Sequence, residues 1–380
     1  MRTVRFGIIG CGLMGREFAS ITARWCHLLD MDVRPELVAV CDPNEALWKW
    51  YQTHFPSIRQ ATKDYTELLA NDQVEAVYCA VPHNLHQRFY CDIIQAGKHL
   101  MGEKPFGIDK PANDAILECI KAHPNVFVRS TSHFPFYPAA QRIGDMIESG
   151  AFGRIIEVES GFLHSSDLDP TKTINWKRLI EVNGEYGCMG DLGMHACHMP
   201  FRAGWTPLNV RALLRNLMKQ RPDGKGNMVP CETWDNATLA CEALDPAGGD
   251  PFPMTIKTHR IAPGQKNTWY IHVWGDKASA RFSSKSPRLL QTMHYTGGEQ
   301  AWQRIDMGSE FTFKTITGPI FEAGFIDCIM QMWAAFLYEL EHGPHPKKFA
   351  RCVTPEEEAL AHRLFTAALK SQRNASVEPV

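Results

Sequence analysis

The first fifteen residues, MRTVRFGIIGCGLMG, constrain this chain more than any other stretch. Val4 to Ile9 is an apolar run with β-branched residues, the composition of a buried parallel strand. It runs directly into Gly10-x-Gly12-x-x-Gly15, and Arg16 to Trp25 reads as a helix. Strand, GxGxxG and helix in that order form the context a dinucleotide site requires. Gly10 permits the tight turn, Gly12 lets backbone N–H groups approach a pyrophosphate, and Gly15 allows close helix–strand packing. The diphosphate then rests on the positive end of the helix, beside Leu13 and Met14. A second apolar run, Leu37 to Cys41, ends in Asp42. A carboxylate there accepts from both adenosine ribose hydroxyls and repels a 2′-phosphate, which favours NAD over NADP. The gap after the glycines exceeds the usual ~20 residues, because His27 to Glu36 inserts a loop. Asp42 also reads as a helix N-cap for Glu45 onward.

A chain of 380 residues exceeds one ordinary core and implies two domains, 1–129 and 130–380. Its 44% hydrophobic and 22% charged content is that of a globular protein, and a net charge of −2 provides no field to attract nucleic acid. No run approaches the roughly 18 apolar residues that span a bilayer. The N-terminus enters a strand almost at once, so no signal peptide is expected. None of the 12 cysteines is spaced CxxC, and several fall in or beside apolar strands. Reduced thiols in a cytoplasmic protein are the expectation.

Through residue 129 strands and helices alternate. With a third strand left unlocated between Asp42 and Val74, Val74 to Ala80 is the fourth, ending at Pro82, His99 to Met101 the fifth and Val126 to Arg129 the sixth, which makes a doubly wound parallel sheet. From Thr238 to Ile305 consecutive strands with short turns imply a second, open and mostly antiparallel sheet. Such a face must be covered, and a homodimer or homotetramer is the economical cover. Arg215 to Gly226 reads as a solvated polar loop, and Ile326 to Glu341 as an amphipathic helix packed on a core.

The chain resembles the Gfo/Idh/MocA oxidoreductases. The likeness rests on the glycine motif, the strand ending in Pro82 with His86 after it, Ala96 to Pro105 (AGKHLMGEKP), and Gly190-Asp191-Leu192-Gly193-Met194-His195. It implies an NAD(P)-dependent sugar or polyol dehydrogenase of a Rossmann domain plus an α+β domain. Pro82, His86, Glu103 and Lys104 join the cofactor site by that resemblance, and Lys104, Asp191 and His195 form the catalytic set. STSHFPF after Arg129 departs from the family's more usual Arg-containing segment, so no particular sugar is implied.

The chemistry needs a hydride acceptor, a base, and a group to hold the alcohol. Asp191 and His195, spaced i, i+4, share a helix face. His195 can take the hydroxyl proton, Asp191 can bind a hydroxyl or orient the imidazole, and Lys104 can stabilise negative charge on the reacting oxygen. His133 and the run Trp176-Lys177-Arg178 reach the substrate in the family's pattern, with Trp176 suited to stack on a sugar. Against these stands a bland reading, with Trp176 in a core and the basic pair in solvent. His198 extends the Asp191/His195 stripe, but no HExxH or cysteine pair accompanies it and no metal is expected. Three activities fit this frame. They are net NAD-dependent oxidation of a sugar, a redox-neutral NAD-dependent glycosidase acting by oxidation, elimination, hydration and re-reduction, and a sensor that binds dinucleotide without catalysis. Joint retention of Lys104, Asp191 and His195 argues against the last.

Overall fold

A computed structural model describes residues 1–380. Its first sheet is parallel and six-stranded: β1 (Arg2–Ile9), β2 (Val33–Cys41), β3 (Gln60–Thr62), β4 (Ala76–Cys79), β5 (His99–Gly102) and β6 (Val128–Ser130), in the order β3-β2-β1-β4-β5-β6. This is the doubly wound arrangement, with the chain reversing between β1 and β4, where a ligand crevice opens. Helices α1 (Leu13–Ala23), α2 (Trp48–His54), α3 (Tyr65–Leu69), α4 (His86–Gln95) and α5 (Lys110–Ala122) make the crossovers. Helix α1 begins at Leu13 rather than Arg16, inside the glycine motif itself. β2 begins at Val33, so the insertion before it is shorter than 27–36. The turn before α2 is capped by Asn44, whose side chain accepts from the Ala46 amide, not by Asp42.

After α6 (Pro138–Glu148), the short α7 (Ile180–Asn183) and α8 (Cys188–Ala203) accompany a second sheet. Its strands are β7 (Ile155–His164), β8 (Thr206–Pro207), β9 (Asn209–Arg215), β12 (Asn236–Leu244), β13 (Phe252–His259), β14 (Asn267–Gly275), β15 (Ala278–Ser283), β16 (Leu289–His294), β17 (Gln303–Asp306) and β18 (Glu378–Pro379). The order is β17-β16-β15-β14-β7-β13-β12-β9-β18, with β8 beside β12, and every pairing is antiparallel except β7 with β13. Between β9 and β12, β10 (Gln220–Pro222) and β11 (Met228–Pro230) form a hairpin. That corrects the solvated loop, because Arg221 is fully buried there and its guanidinium donates to the carbonyls of Asp167, Asp169 and Lys172.

Helix α8 is buried along its whole length and lies across β7 and β13, sandwiched by α10 (Pro355–Asn374). Helix α9 (Phe325–His342) leaves the second region and returns to the first. Its Trp333 stacks on Phe18 of α1 at 3.7 Å between ring centroids and meets Phe6 of β1 edge-on. Aromatic pairs of this kind contribute about 0.5–1.5 kcal/mol each beyond area burial. One hydrophobic cluster of 75 residues therefore runs through both sheets. All twelve cysteines are free, and no helix is long and apolar enough to cross a membrane.

Candidate active site

The glycine loop has the geometry that its sequence demands. Gly10 sits at φ 97°, and a Cβ there would lie 2.3 Å from the Ala80 carbonyl oxygen. A Cβ on Gly15 would lie 2.3 Å from the Gly10 carbonyl, whereas one on Gly12 would meet nothing within 4 Å. The first two glycine requirements are thus internal to the fold, and the third keeps open space for a ligand. Helix α1 has no side-chain cap, so its first-turn amides are unpaired and face that space. Asp42 stands at the end of β2. One of its carboxylate oxygens accepts from the Cys11 amide at 2.8 Å and the other from the Asn44 amide at 2.8 Å. It braces the glycine loop, and each oxygen keeps a further lone pair for a ribose hydroxyl. Open amides, an empty cradle at Gly12 and this carboxylate suit the diphosphate and ribose of NAD.

Two adjoining cavities of about 310 and 370 Å³ continue from the loop. Leu13, Met14, Glu103, Lys104, Lys177 and Asp191 line both; Pro82 and Trp176 line the second. Glu103 is held by the Tyr78 hydroxyl, which donates to it at 2.7 Å.

Asp191, in the first turn of α8, is 2% exposed and surrounded by three cations. Lys177 donates to Oδ1 at 2.7 Å, Lys104 reaches the same oxygen at 3.3 Å and also donates to the Asp191 carbonyl at 2.5 Å, and Arg260 donates to Oδ2. Burial alone would push this carboxyl up, since removing an ion from water costs several kcal/mol. Lys177, Lys104 and Arg260 outweigh that cost and hold it well below the usual carboxylate range. Arg260 is anchored in turn by Asp167, to which its Nε donates at 2.9 Å.

His195 lines the same cavity as Lys104, one turn along α8 from Asp191. Its Nδ1 pairs with the Ser132 hydroxyl at 3.2 Å, and no protein group pairs with Nε2. Phe134 and Phe162 pack edge-on against the ring at 5.2 and 5.3 Å. Burial, Lys104 and His133 depress its pKa well below the ordinary histidine value, so the ring is neutral. His133 lies beside it at 5.5 Å, lines the cavity, and is itself pushed down to about 3 by burial and by Lys104.

Three expectations need correction. His86 is not a cofactor contact. It is fully buried, and its ring spans the carbonyl oxygens of Pro105 at 2.5 Å and Val81 at 2.9 Å, so it ties together the loops after β4 and β5. Arg178 does not reach substrate: it is fully buried on Asp235 at 2.5 Å and donates to the Thr233 carbonyl. Asp191 does not orient His195; its oxygens are taken by cations, and Ser132 holds the imidazole. His198 points away from the cleft, buried near Arg202 and Glu357. Reading the sequence missed Arg260 and His164, both on the cavity wall. Their signal was strand parity. Arg260 falls in phase with buried Phe252, Met254, Ile256 and Thr258, and His164 with Val158, Ser160 and Phe162. A charge on the buried phase of a strand demands a buried partner.

Comparison with known proteins bears on the fold that carries this site. Residues 4–130 match the oxidoreductase family described as NAD-binding Rossmann fold, Gfo/Idh/MocA. A levoglucosan dehydrogenase of Pseudarthrobacter phenanthrenivorans is 23% identical over 84% of this chain and 81% of its own length. A solved structure of levoglucosan dehydrogenase with NADH and L-sorbose superposes with a TM-score of 0.88 at 20% identity, covering 100% of this chain and 99% of that one. An NAD-binding oxidoreductase from Klebsiella pneumoniae gives 0.87 at 21% identity, covering 100% and 99%. At these identities the superpositions show the shared fold. The family match itself covers residues 4–130, the part of the chain that carries the glycine loop, Asp42 and Lys104.

Proposed function

We propose that the protein oxidises a hydroxyl-bearing carbon of a sugar, polyol or sugar derivative, with NAD as acceptor. The observation that carries this reading is the convergence of Lys104, from the end of the first sheet, with Asp191 and His195, from α8, on one cavity that adjoins the glycine loop. Bound NAD supplies the hydride acceptor. The Lys104 ammonium, fixed by the carbonyl and carboxylate of Asp191, stabilises negative charge developing on the reacting oxygen. His195, neutral and with Nε2 free, hydrogen-bonds the reacting hydroxyl and holds it in place. Phe134 and Phe162 hold its ring in place, and Trp176 at the rim suits the apolar face of a sugar ring. The relative named levoglucosan dehydrogenase supports a carbohydrate substrate.

Incubation with NAD and a panel of levoglucosan, glucose, myo-inositol and methyl glycosides, followed by NADH absorbance and product analysis, tests the reading. Accumulating NADH with one of them supports it. Glycoside cleavage without net NADH points to the redox-neutral glycosidase, and neither outcome with any compound removes both.

We also infer a homo-oligomer through the second sheet. Trp269 donates to the His195 carbonyl, so its face meets α8, which turns His272 and Trp274, both only half-buried, to the opposite face. Light scattering that gives a monomer mass would overturn this.

A further inference from the structure

Oxidising an alcohol in a closed cleft releases a proton, and that proton must find both an acceptor and a way out. Around the cavity the candidate groups are enclosed: the side chains of Asp191, Arg260 and Lys104 are 2, 6 and 12% exposed, and His195 as a residue 7%. The Lys177 side chain is 32% exposed, yet its amine lies 2.7 Å from Asp191 Oδ1. Lys177 borders both cavities. Of the three cations on Asp191, Lys177 is thus the one with the largest share of its side chain open to solvent. Lys104 reaches the same Oδ1 at 3.3 Å, so two amines compete for one oxygen, and the two need not both be charged.

We propose that Lys177 is the acid–base residue of the site, its neutral amine receiving the hydroxyl proton and returning it to solvent. In the step, the C–H pair leaves as hydride to the nicotinamide and the O–H pair closes the carbonyl π bond. The proton adds to the lone pair of Nζ, and the resulting ammonium is stabilised by Asp191. The assignment rests on the dehydrogenase reading above and replaces His195 as the expected base. His195 is suited to position the hydroxyl, because its protonation would place a buried cation near Lys104.

The electrostatics fit. Asp191, Lys104, Arg260, His164, Glu103 and His83 are the titratable and charged groups around Lys177. Burial lowers the Lys177 pKa, Asp191 opposes that, and Arg260 and Lys104 reinforce it, which brings the amine to about 8. A proton carrier works best when its pKa lies near the operating pH.

Two measurements test this. In the ligand-free protein, competitive acetylation with trace acetic anhydride across pH, read by mass spectrometry at Lys177, gives the neutral fraction directly. A midpoint near 8 is expected, and one near the ordinary lysine value of about 10.4 overturns the assignment. With whichever panel compound yields NADH, kcat should rise with pH to a plateau in the wild type. Lys177→Arg keeps a cation against Asp191 but cannot titrate; it should lower kcat at least ~100-fold and abolish the rising limb. Lys177→Ala should regain turnover with added methylamine or ethylamine. A Lys177→Arg protein with wild-type kcat and an intact limb, or one changed only in KM, overturns the proposal. Absence of NADH with every compound sinks the dehydrogenase reading instead, and the acetylation midpoint is independent of that result.

Discussion

Two arginines, Arg178 and Arg260, are almost equally buried and share Asp167, yet they do different things. Arg178 sits 3.9 Å from Asp167 and 2.5 Å from Asp235, and its remaining bonds go to backbone and Asn216. Arg260 sits 2.9 Å from Asp167 and spends its other end on Asp191 and Ser166, at the cavity wall. The first pair is closed on itself and fastens the segment before α8 to the β9–β12 connection. The second opens onto the cleft and helps set the charge around Asp191, which also holds Lys104 and Lys177. A buried ion pair is weak evidence of function by itself; what distinguishes these two is where the unshared side of the carboxylate faces.

The contrast breaks most cleanly at Asp191. Asp191→Asn leaves Lys104 and Lys177 without a counter-ion and Arg260 with Asp167 alone, so turnover should fall by up to ~1000-fold, the upper range for losing one preorganised electrostatic group. The melting temperature should also drop. Normal turnover would place Asp191 with the closed pair. Arg178→Met should be the mirror image: a loss of about 3–5 kcal/mol from an orphaned buried Asp235, with kcat of the folded fraction within a few-fold of wild type. A stable variant with collapsed kcat would return Arg178 to the site. Arg260→Lys keeps the charge but loses the fork that spans Asp167 and Asp191. A roughly tenfold fall in kcat/KM, equivalent to about 1.4 kcal/mol, is expected, read by steady-state kinetics across pH.

Glu358 sharpens the comparison from the other side. It is a buried carboxyl with no cation in contact; burial raises it, the Ser130 hydroxyl and distant Lys104 lower it, and it stands at about 7. Its folded pKa exceeds the unfolded one of about 4.3, so the folded state holds the extra proton. Stability therefore falls as pH rises through that window and is not regained above it. Glu358→Gln should melt like wild type near pH 5 and higher than wild type near pH 8; an identical melting curve at both pH values would refute the assignment.

How much of this was legible follows from where each signal resides. The glycine loop is a backbone device whose requirements sit in adjacent residues, so β1, the loop and α1 could be read directly. The three-residue β3 is too short to carry a pattern, so the count of six strands includes it without locating it. Lys104, Asp191 and His195 were found through motifs, but their partners were not. Asp191 is defined by Lys177 and Arg260, which come from a 3₁₀ turn and a strand end far apart in the chain. Lys177 and Arg178 were read as a pair because they are neighbours in sequence. On a 3₁₀ turn successive side chains diverge by about 120°, which sends one to the cleft and the other into the core.

Trp333 adds a consequence for how the molecule comes into being. The indole that closes over Phe6 and Phe18, beneath the strand and helix of the glycine loop, arrives 315 residues after Phe18. During synthesis the nucleotide-binding third waits for this aromatic partner until the last quarter of the chain emerges. The order of the polypeptide and the order of its completion are therefore not the same, and the oldest-made part of the protein is among the last to be finished.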